Sequence, residues 1–280
     1  MMAAMRGPHF THSRLSAQGL SLGGPPTQHT SDVLRVATYN IHKGVRGVGP
    51  RKRLEIHNLG LGIEALDADL VCLQEVRLYE KREATRFTRT HLGWPDEGQA
   101  DYLAPEGYSV AYRTNATTRH GEHGNALLSR WPIGDIGHHD VSDHRFEQRG
   151  LLHVPVWWQG VEVHAVVAHL GLIHASRVRQ VERLAAFIAH EVPPGAPLLV
   201  AGDFNDWGEK LDGPMHAIGL RRARAGADRA QRTFPSAVPI FALDRVYTRG
   251  LACVSATVPR NSGWARMSDH LPLLVELRLE

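Results

Sequence analysis

Leu198 to Trp207 reads LLVAGDFNDW, and how this stretch is read decides the fold. Four apolar residues in a row, Leu198, Leu199, Val200 and Ala201, describe a short buried strand. Gly202 is expected to let the backbone turn tightly at its end, and Asp203, Asn205 and Asp206 crowd the positions beyond it. A strand that ends in carboxylates and an amide looks like a catalytic edge, although Asp and Asn also favour turns for local reasons. What separates the two readings is whether other strand ends carry the same chemistry.

Composition sets the frame. With 280 residues, 42% hydrophobic and 22% charged, the chain has the make-up of a globular protein with one large or two small domains. A net charge of +3 suits an anionic substrate without by itself indicating nucleic acid or a membrane surface. Cys72 and Cys253 are too few for a disulfide framework; as buried free thiols they fit a reducing, cytoplasmic location. No apolar run approaches the roughly 18 residues that span a bilayer. Residues 1–30 are rich in Gly, Pro, Ser, Thr and His without periodicity, so they are expected to be a disordered leader. His9, His12 and His29 within it are expected to be inert.

Before LLVAGDFNDW, the chain offers several similar strands. LRVATYNIHKG, from Leu34, alternates into a strand ending at Asn40 and His42, with a loop at Gly44, Gly47 and Gly49. Arg51 to Leu66 reads as a helix with Leu54, Leu59, Ile63 and Leu66 inward. Leu70 to Leu73 is a second buried strand, closed by Gln74 and Glu75. Lys81 to His91 reads as a polar surface helix and Trp94 to Glu106 as a loop. GNALLS, Gly124 to Ser129, is a strand with Asn125 at its start. His138, His139, Asp140, Asp143 and His144 follow in an irregular segment, but their spacing matches no zinc pattern and an exposed loop is expected.

Arg149 to Trp158 and Val161 to His169 read as a hairpin turning at Gln159 and Gly160. Alternation turns only one of Trp157 and Trp158 outward. Ser176 is expected to cap a helix with Val178, Val181, Leu184, Ala185 and Ile188 on one face and Arg177, Arg179 and Arg183 elsewhere. Pro193 and Pro194 end that helix and lead into LLVAGDFNDW. Arg221, Arg222 and Arg224 read as a solvated face, and TFPS spans Thr233 to Ser236. Two last strands follow, ALDRVYT centred on Asp244 and LPLLVEL behind Ser268, Asp269 and His270. No repeat or linker divides the chain, so one domain is expected.

Collected together, the strand-end polar residues are Asn40, Glu75, Asn125, His169, Asp203, Asn205, Asp244, Asp269 and His270. In a layered sheet fold, strand ends on one edge converge, so these can meet in one cleft. Carboxylates and amides without cysteine suit a hard ion, magnesium or manganese, and two histidines add acid–base capacity near neutral pH.

TYNIH (38–42), LQEV (73–76), GNALLSR (124–130), AHL (168–170), GDFND (202–206), LDRVY (243–247) and SDHLPL (268–273), in this order, resemble the endonuclease/exonuclease/phosphatase superfamily. Its members include DNase I-like nucleases, abasic-site endonucleases, sphingomyelinases and inositol polyphosphate phosphatases. The likeness runs from about residue 34 to the C terminus, and the TYNIHKG form is similar to bacterial members. It implies a catalytic domain over 31–280, built as a four-layered α/β sandwich of two packed, mostly antiparallel β-sheets flanked by helices. Position by position, it implies Glu75, Asn40 and Asp269 at a magnesium ion and Asp203 orienting or deprotonating the attacking water. Asn205 and His169 would contact the phosphate, His270 would be held by Asp244, and Asn125 and Arg149 would bind substrate.

His42 departs from the pattern, since abasic-site enzymes place an acidic residue there; this argues for the DNase-like or sphingomyelinase-like branches. The function expected is a magnesium-dependent phosphodiesterase with nucleic acid slightly favoured as substrate. The alternatives are a phospholipid or sphingolipid phosphodiesterase peripheral to a membrane, and an inactive member that only binds a partner. Against the nuclease reading, the net charge is modest and no dense run of basic residues is interleaved with aromatics, while the inactive reading conflicts with the full set of site residues. Oligomeric state is not legible in these motifs.

Overall fold

A run such as Leu198–Ala201 can be apolar at every position only if both faces of its strand are covered. In a computed structural model of the chain, which describes residues 32–88, 90, 92–224 and 231–280, that is the arrangement found. The expected leader and its histidines lie outside the described residues, and residues Asp32–Glu280 form one compact unit.

In chain order the elements are β1 (Leu34–Asn40), β2 (Val45–Arg46), β3 (Arg53–Leu54), α1 (Ile56–Leu66), β4 (Leu70–Glu80), α2 (Lys81–Phe87) and α3 (Gln99–Leu103). Then come β5 (Ser109–Thr118), β6 (Gly121–Ser129), β7 (Gly137–Asp140), β8 (Gly150–Trp158), β9 (Val161–His169) and α4 (His174–Glu191). The chain ends with β10 (Leu198–Asp203), α5 (Asp212–Ala217), β11 (Arg221–Arg222), β12 (Asp244–Arg249), β13 (Leu251–Thr257), α6 (Trp264–Met267) and β14 (Leu273–Leu279).

Two six-stranded sheets result, ordered β13-β14-β1-β4-β6-β5 and β11-β12-β10-β9-β8-β7, beside a small β2-β3 ribbon. Each sheet is antiparallel except for one pair, β1 with β4 and β9 with β10. Leu199 and Ala201 join Val36, Cys72, Leu127, Val154, Trp158 and Val167 in a core between the sheets. Leu198 and Val200 turn the other way, towards Val181, Leu184 and Ile188 of α4. Across the other sheet, Ala37, Tyr39 and Leu73 pack on Leu59 and Ile63 of α1. Three cores separate four layers, as the superfamily likeness implies. Trp158 is buried while Trp157 is 47% exposed, so the alternation along β8 holds.

Several elements differ from the sequence expectation, each for a local reason. Residues 52–55 are not helical; Arg53 and Leu54 pair with Val45 and Arg46 in the ribbon, and α1 starts at Ile56. β4 continues past Glu75 because a bulge absorbs the break in its register, between Leu73 and Val76, against β6. β5 carries too little alternation to be read from sequence, and α3 is a short helix within what reads as a loop. The surface helix ends at Phe87, with Arg89 and His91 outside the described residues. Ser176 does not cap α4. It lies within the helix and donates to Asp143 Oδ2 at 2.7 Å, while Ile173 holds the capping position without a side-chain bond. Arg177, expected on the polar side, is buried and donates to the carbonyls of Gly171 and Leu172. Arg222 and Arg224 are paired with Glu209 and Asp212 at 2.8 and 2.7 Å.

Gly202 corrects the opening expectation. It does not turn the chain but lies inside β10, paired with Arg245 on one side and Ala168 on the other. A Cβ there would stand 1.8 Å from the Ala168 carbonyl oxygen, so the backbones can approach only over glycine. Gly202→Ala should therefore cost at least about 3 kcal/mol as overpacking against an unyielding backbone, read as a lowered urea midpoint; a parental midpoint would contradict that contact.

Two buried histidines add a pH dependence. His153 Nε2 meets His164 Nδ1 at 2.9 Å. Burial, with the nearby His164, pushes the pKa of His153 from its ordinary 6.5 down to about 4. The folded state thus resists a proton that the unfolded chain accepts, so this stabilisation is complete above about pH 6.5 and is lost as pH falls through about 4. The melting temperature should drop across that window, and His153→Gln should flatten the drop; an unchanged slope in the variant would assign the acid sensitivity elsewhere.

Candidate active site

Register places three chemically distinct side chains in one row. Asp203, the last residue of β10, pairs with His169 at the end of β9 and with Asp244 at the start of β12. All three are buried. The opposite sheet brings Asn40 at the end of β1, and its Nδ2 donates to Asp203 Oδ2 at 3.1 Å. The two sheets therefore meet at the site through a side-chain hydrogen bond. Ser268 Oγ donates to the Asn40 carbonyl at 2.7 Å, pinning the Ser268–Asp269–His270 turn over the same edge.

His270 is the centre of the arrangement. Its Nδ1 lies 2.8 Å from Asp244 Oδ2 and its Nε2 3.7 Å from Asp203 Oδ2. Burial opposes charge on the ring, but Asp244 and then Asp203 outweigh it and push the pKa up to about 10. The ring is an imidazolium at neutral pH. Asp244 Oδ2 also accepts from Thr233 Oγ1 at 2.5 Å, and the Phe234 ring packs 4.9 Å from the imidazole. Trp207 packs edge-on against Phe234 and Phe241 behind it. Nothing in TFPS (233–236) announces that its threonine and its aromatic ring face His270.

Asp203 is pushed up to about 6, chiefly by burial and against the pull of His270. The backbone N–H of Asn205 donates to its Oδ1 at 2.9 Å. Asn205 sits at φ 48°, a left-handed conformation that asparagine tolerates, and its Nδ2 donates to the Leu170 carbonyl at 3.0 Å. Arg149 Nε donates to the same carbonyl at 3.1 Å, while its Nη2 holds Glu147 at 3.1 Å. Burial first, then the charge of Arg149, holds His169 well below the ordinary histidine range. It is neutral, with Nε2 3.6 Å from Asp203.

Glu75 is not at a strand end. It occupies the β4 bulge at φ 57°, a costly conformation for a non-glycine residue, and the bulge aims its carboxylate at the cleft. Its Oε2 is buried without a well-aligned hydrogen bond and lies 3.1 Å from Lys43 Nζ and 4.0 Å from His42 Nδ1. Burial alone would raise its pKa, yet the Lys43 ammonium beside it holds it well below the carboxylate range. His42 Nδ1 is also 3.3 Å from Asp269 Oδ1, so one imidazole faces both carboxylates. Asn125 is also within its strand. It is fully buried, and its Nδ2 donates across the sheets to the carbonyls of Gly150 and Val167.

Among the described residues, Asp203, Asp244 and His270 offer three atoms within 4.8 Å of one another, close enough to hold an ion. The histidine and carboxylate segment before β8 is gathered otherwise: Arg179 grips Asp143 at 2.6 and 2.7 Å. Both cysteines are free thiols, and no described helix is long and apolar enough to cross a membrane.

Comparison with known proteins agrees with this architecture. YbhP, an uncharacterized protein of Escherichia coli (strain K12), is 36% identical over 266 residues, covering 91% of this chain and 100% of its own. The crystal structure of an endonuclease/exonuclease/phosphatase from Beutenbergia cavernae matches with a TM-score of 0.66 at 21% identity, over 88% of this chain and 72% of that one. D. rerio TDP2 complexed with a single-strand DNA product matches with a TM-score of 0.60 at 13% identity, over 89% and 100% of the two chains. At such identities these two structures speak to the fold alone. The model of the Endonuclease/Exonuclease/phosphatase family matches residues 37–270, a span that takes in every residue of the site, and the chain belongs to that family of phosphoester hydrolases.

Proposed function

We propose that the protein is a magnesium-dependent phosphodiesterase in which water attacks phosphorus, with nucleic acid as its favoured substrate. The observation that carries this reading is the buried Asp244–His270–Asp203 row, facing Glu75 and Asp269 at the edge where the two sheets meet. Asn40, Glu75 and Asp269 are the residues that would hold the ion. Two carboxylates and an amide are hard oxygen donors, and the unaligned Glu75 oxygen, faced by the Lys43 ammonium and the His42 imidazole, has the character of a ligand. When bound, magnesium would neutralise phosphate charge and polarise the P–O bond. The Asp203, Asp244 and His270 trio is the poorer ion site, because His270 already fills its centre with a proton on the Asp244 side.

Asp203 is the general base. Its carboxylate is buried among Asn40, Asn205 and His270, which keeps it basic yet ionised near neutral pH, so it can orient a water and take its proton. His270 is already protonated and cannot serve as that base. It presents an N–H to a non-bridging phosphate oxygen, with charge growing there in the transition state. The second amide proton of Asn205 and the neutral ring of His169 complete the phosphate contacts, and Arg149 steadies the Leu170 carbonyl from which Asn205 hangs. The products are a phosphomonoester and an alcohol. Two free thiols support action in a reducing compartment such as the cytoplasm. The second reading, a phospholipid or sphingolipid phosphodiesterase at a membrane surface, draws on Phe146, Leu172 and Ile173, which stand exposed.

Magnesium-dependent hydrolysis should be measured on DNA, RNA, phospholipid vesicles and bis-p-nitrophenyl phosphate. His270→Gln should lose about 10²–10⁴-fold in turnover on whichever is cleaved, with its circular dichroism unchanged; near-parental turnover would remove His270 from the mechanism. Thr233→Val and Asp244→Asn act on the same imidazole, so both should lower kcat more than KM, Asp244→Asn more severely. If Asp244→Asn were fully active, the pairing that keeps His270 charged would have no catalytic part.

A further inference from the structure

A cleft of about 660 Å³ opens beside the site where Lys43 faces Glu75. Five cations line it, Lys43, Lys52, Arg77, Arg82 and Arg86, against three carboxylates, Glu80, Glu83 and Glu122. Those carboxylates are already engaged. Glu80 accepts the first N–H groups of α2, Glu83 pairs with Lys52 at 2.5 Å, and Glu122 accepts from Thr114. The cations are less completely matched. Arg77 Nη1 has no hydrogen bond and stands 3.6 Å from Glu80 Oε2, Arg86 meets only the Gly49 carbonyl and the Phe87 ring, and the exposed Arg82 guanidinium has no ion pair among the described residues. The cleft is thus a positively charged trough leading away from the catalytic row.

A second cleft of about 680 Å³ meets the first at Thr118 and His123 and contains Arg149, Arg145 and Phe146. Phe146 is 82% exposed, and the Arg145 guanidinium lies 4.6 Å from its ring centroid. An exposed aromatic ring joined to a cationic trough is the pairing that binds single strands, since an unpaired base can stack on the ring while phosphates follow the cations. A duplex hides its base faces, and a diester lipid with one phosphate gives the Arg82–Arg86 arm no anion to hold.

We propose that the two clefts form one track for a single strand of nucleic acid, its flanking phosphates along Lys52, Arg82 and Arg86 and a base against Phe146. This rests on the phosphodiesterase reading above and names the form of substrate that the same site takes. None of these four residues belongs to the catalytic row, so strand binding and hydrolysis of a small diester are separable.

Binding of a fluorescein-labelled oligothymidylate to the full chain, followed by anisotropy in EDTA over a salt series, tests the track. Arg82→Glu with Arg86→Glu should weaken binding at least about tenfold and flatten the log–log salt slope by about 1.4, at roughly 0.7 per phosphate contact. Phe146→Ser should cost about tenfold, as for one lost stacking contact. Magnesium-dependent hydrolysis of bis-p-nitrophenyl phosphate should stay parental in both variants. Parental affinity in either variant would overturn the track. So would duplex binding as tight as the single strand, or phosphatidylglycerol vesicles captured through Phe146 in its place. Strand binding with these variant effects, but no bis-p-nitrophenyl phosphate hydrolysis by the parent, would uphold the track and overturn the phosphodiesterase reading instead.

Discussion

An imidazolium buried between two carboxylates is the interaction on which this site depends. Asp203, Asp244 and His270 are all buried, and each would be costly to hold there alone as a charge. Together they are tolerable because Asp244 bonds His270 Nδ1 at 2.8 Å and Asp203 faces Nε2 at 3.7 Å. Removing one member of such a set leaves an uncompensated buried charge, typically worth 3–5 kcal/mol. The same balance sets the chemistry. The carboxylate more tightly bonded to the ring keeps it charged; the looser one, also touched by Asn40 and Asn205, keeps its basicity.

That balance requires the loop after β10 to be rigid, and a second buried network supplies this. Asp206 accepts from Arg245 Nη1 at 2.8 Å, and Arg245 Nη2 donates to the Asp206 carbonyl at 3.0 Å. Arg245 follows Asp244 directly, so one side chain ties the loop of Asn205 to the strand that presents the His270 partner. Tyr247 extends the network from Arg245 to Asp212 of α5. On the other side, Arg177 of α4 stands 3.9 Å from Asp206 Oδ1 while bonding the carbonyls that follow Leu170. The left-handed Asn205 is thus braced from β12, α4 and the end of β9 at once.

What could be read from sequence follows from which physics is local. Apolar runs such as Leu198–Ala201 announce strands covered on both faces, and the two tryptophans of β8 obey simple alternation. The row of His169, Asp203 and Asp244 was legible because polar residues stand on apolar strands, two of them closing β9 and β10 and the third opening β12. Features that depend on a partner strand were not. Gly202 reads as a turn residue, and only the Ala168 carbonyl reveals why glycine is required. Asn125 reads as a strand-end polar group, yet it sits inside β6 and ties the sheets together. Ser176 has the composition of a cap but answers to Asp143, 33 residues away. Arg177 looks like part of a solvated face until its buried carbonyl partners are known.

Glu75 shows how far such a hidden dependence can reach. In a regular strand β4 would carry it past the cleft, and sequence suggested that the strand simply stops there. Instead the strand runs on to Glu80, and a bulge with Glu75 at φ 57° turns the carboxylate outwards. The cost of that conformation, of order 1–3 kcal/mol, is offset by β4–β6 pairing on both sides of the bulge. The continuation also has a use of its own, since it carries Arg77 and Glu80, and Glu80 then caps α2 beside Arg82 and Arg86. A strand that ended at Glu75 could still offer an ion ligand, but it would place neither the cap nor the helix beside the site. The one bulge therefore joins the carboxylate face of the site to its cationic flank.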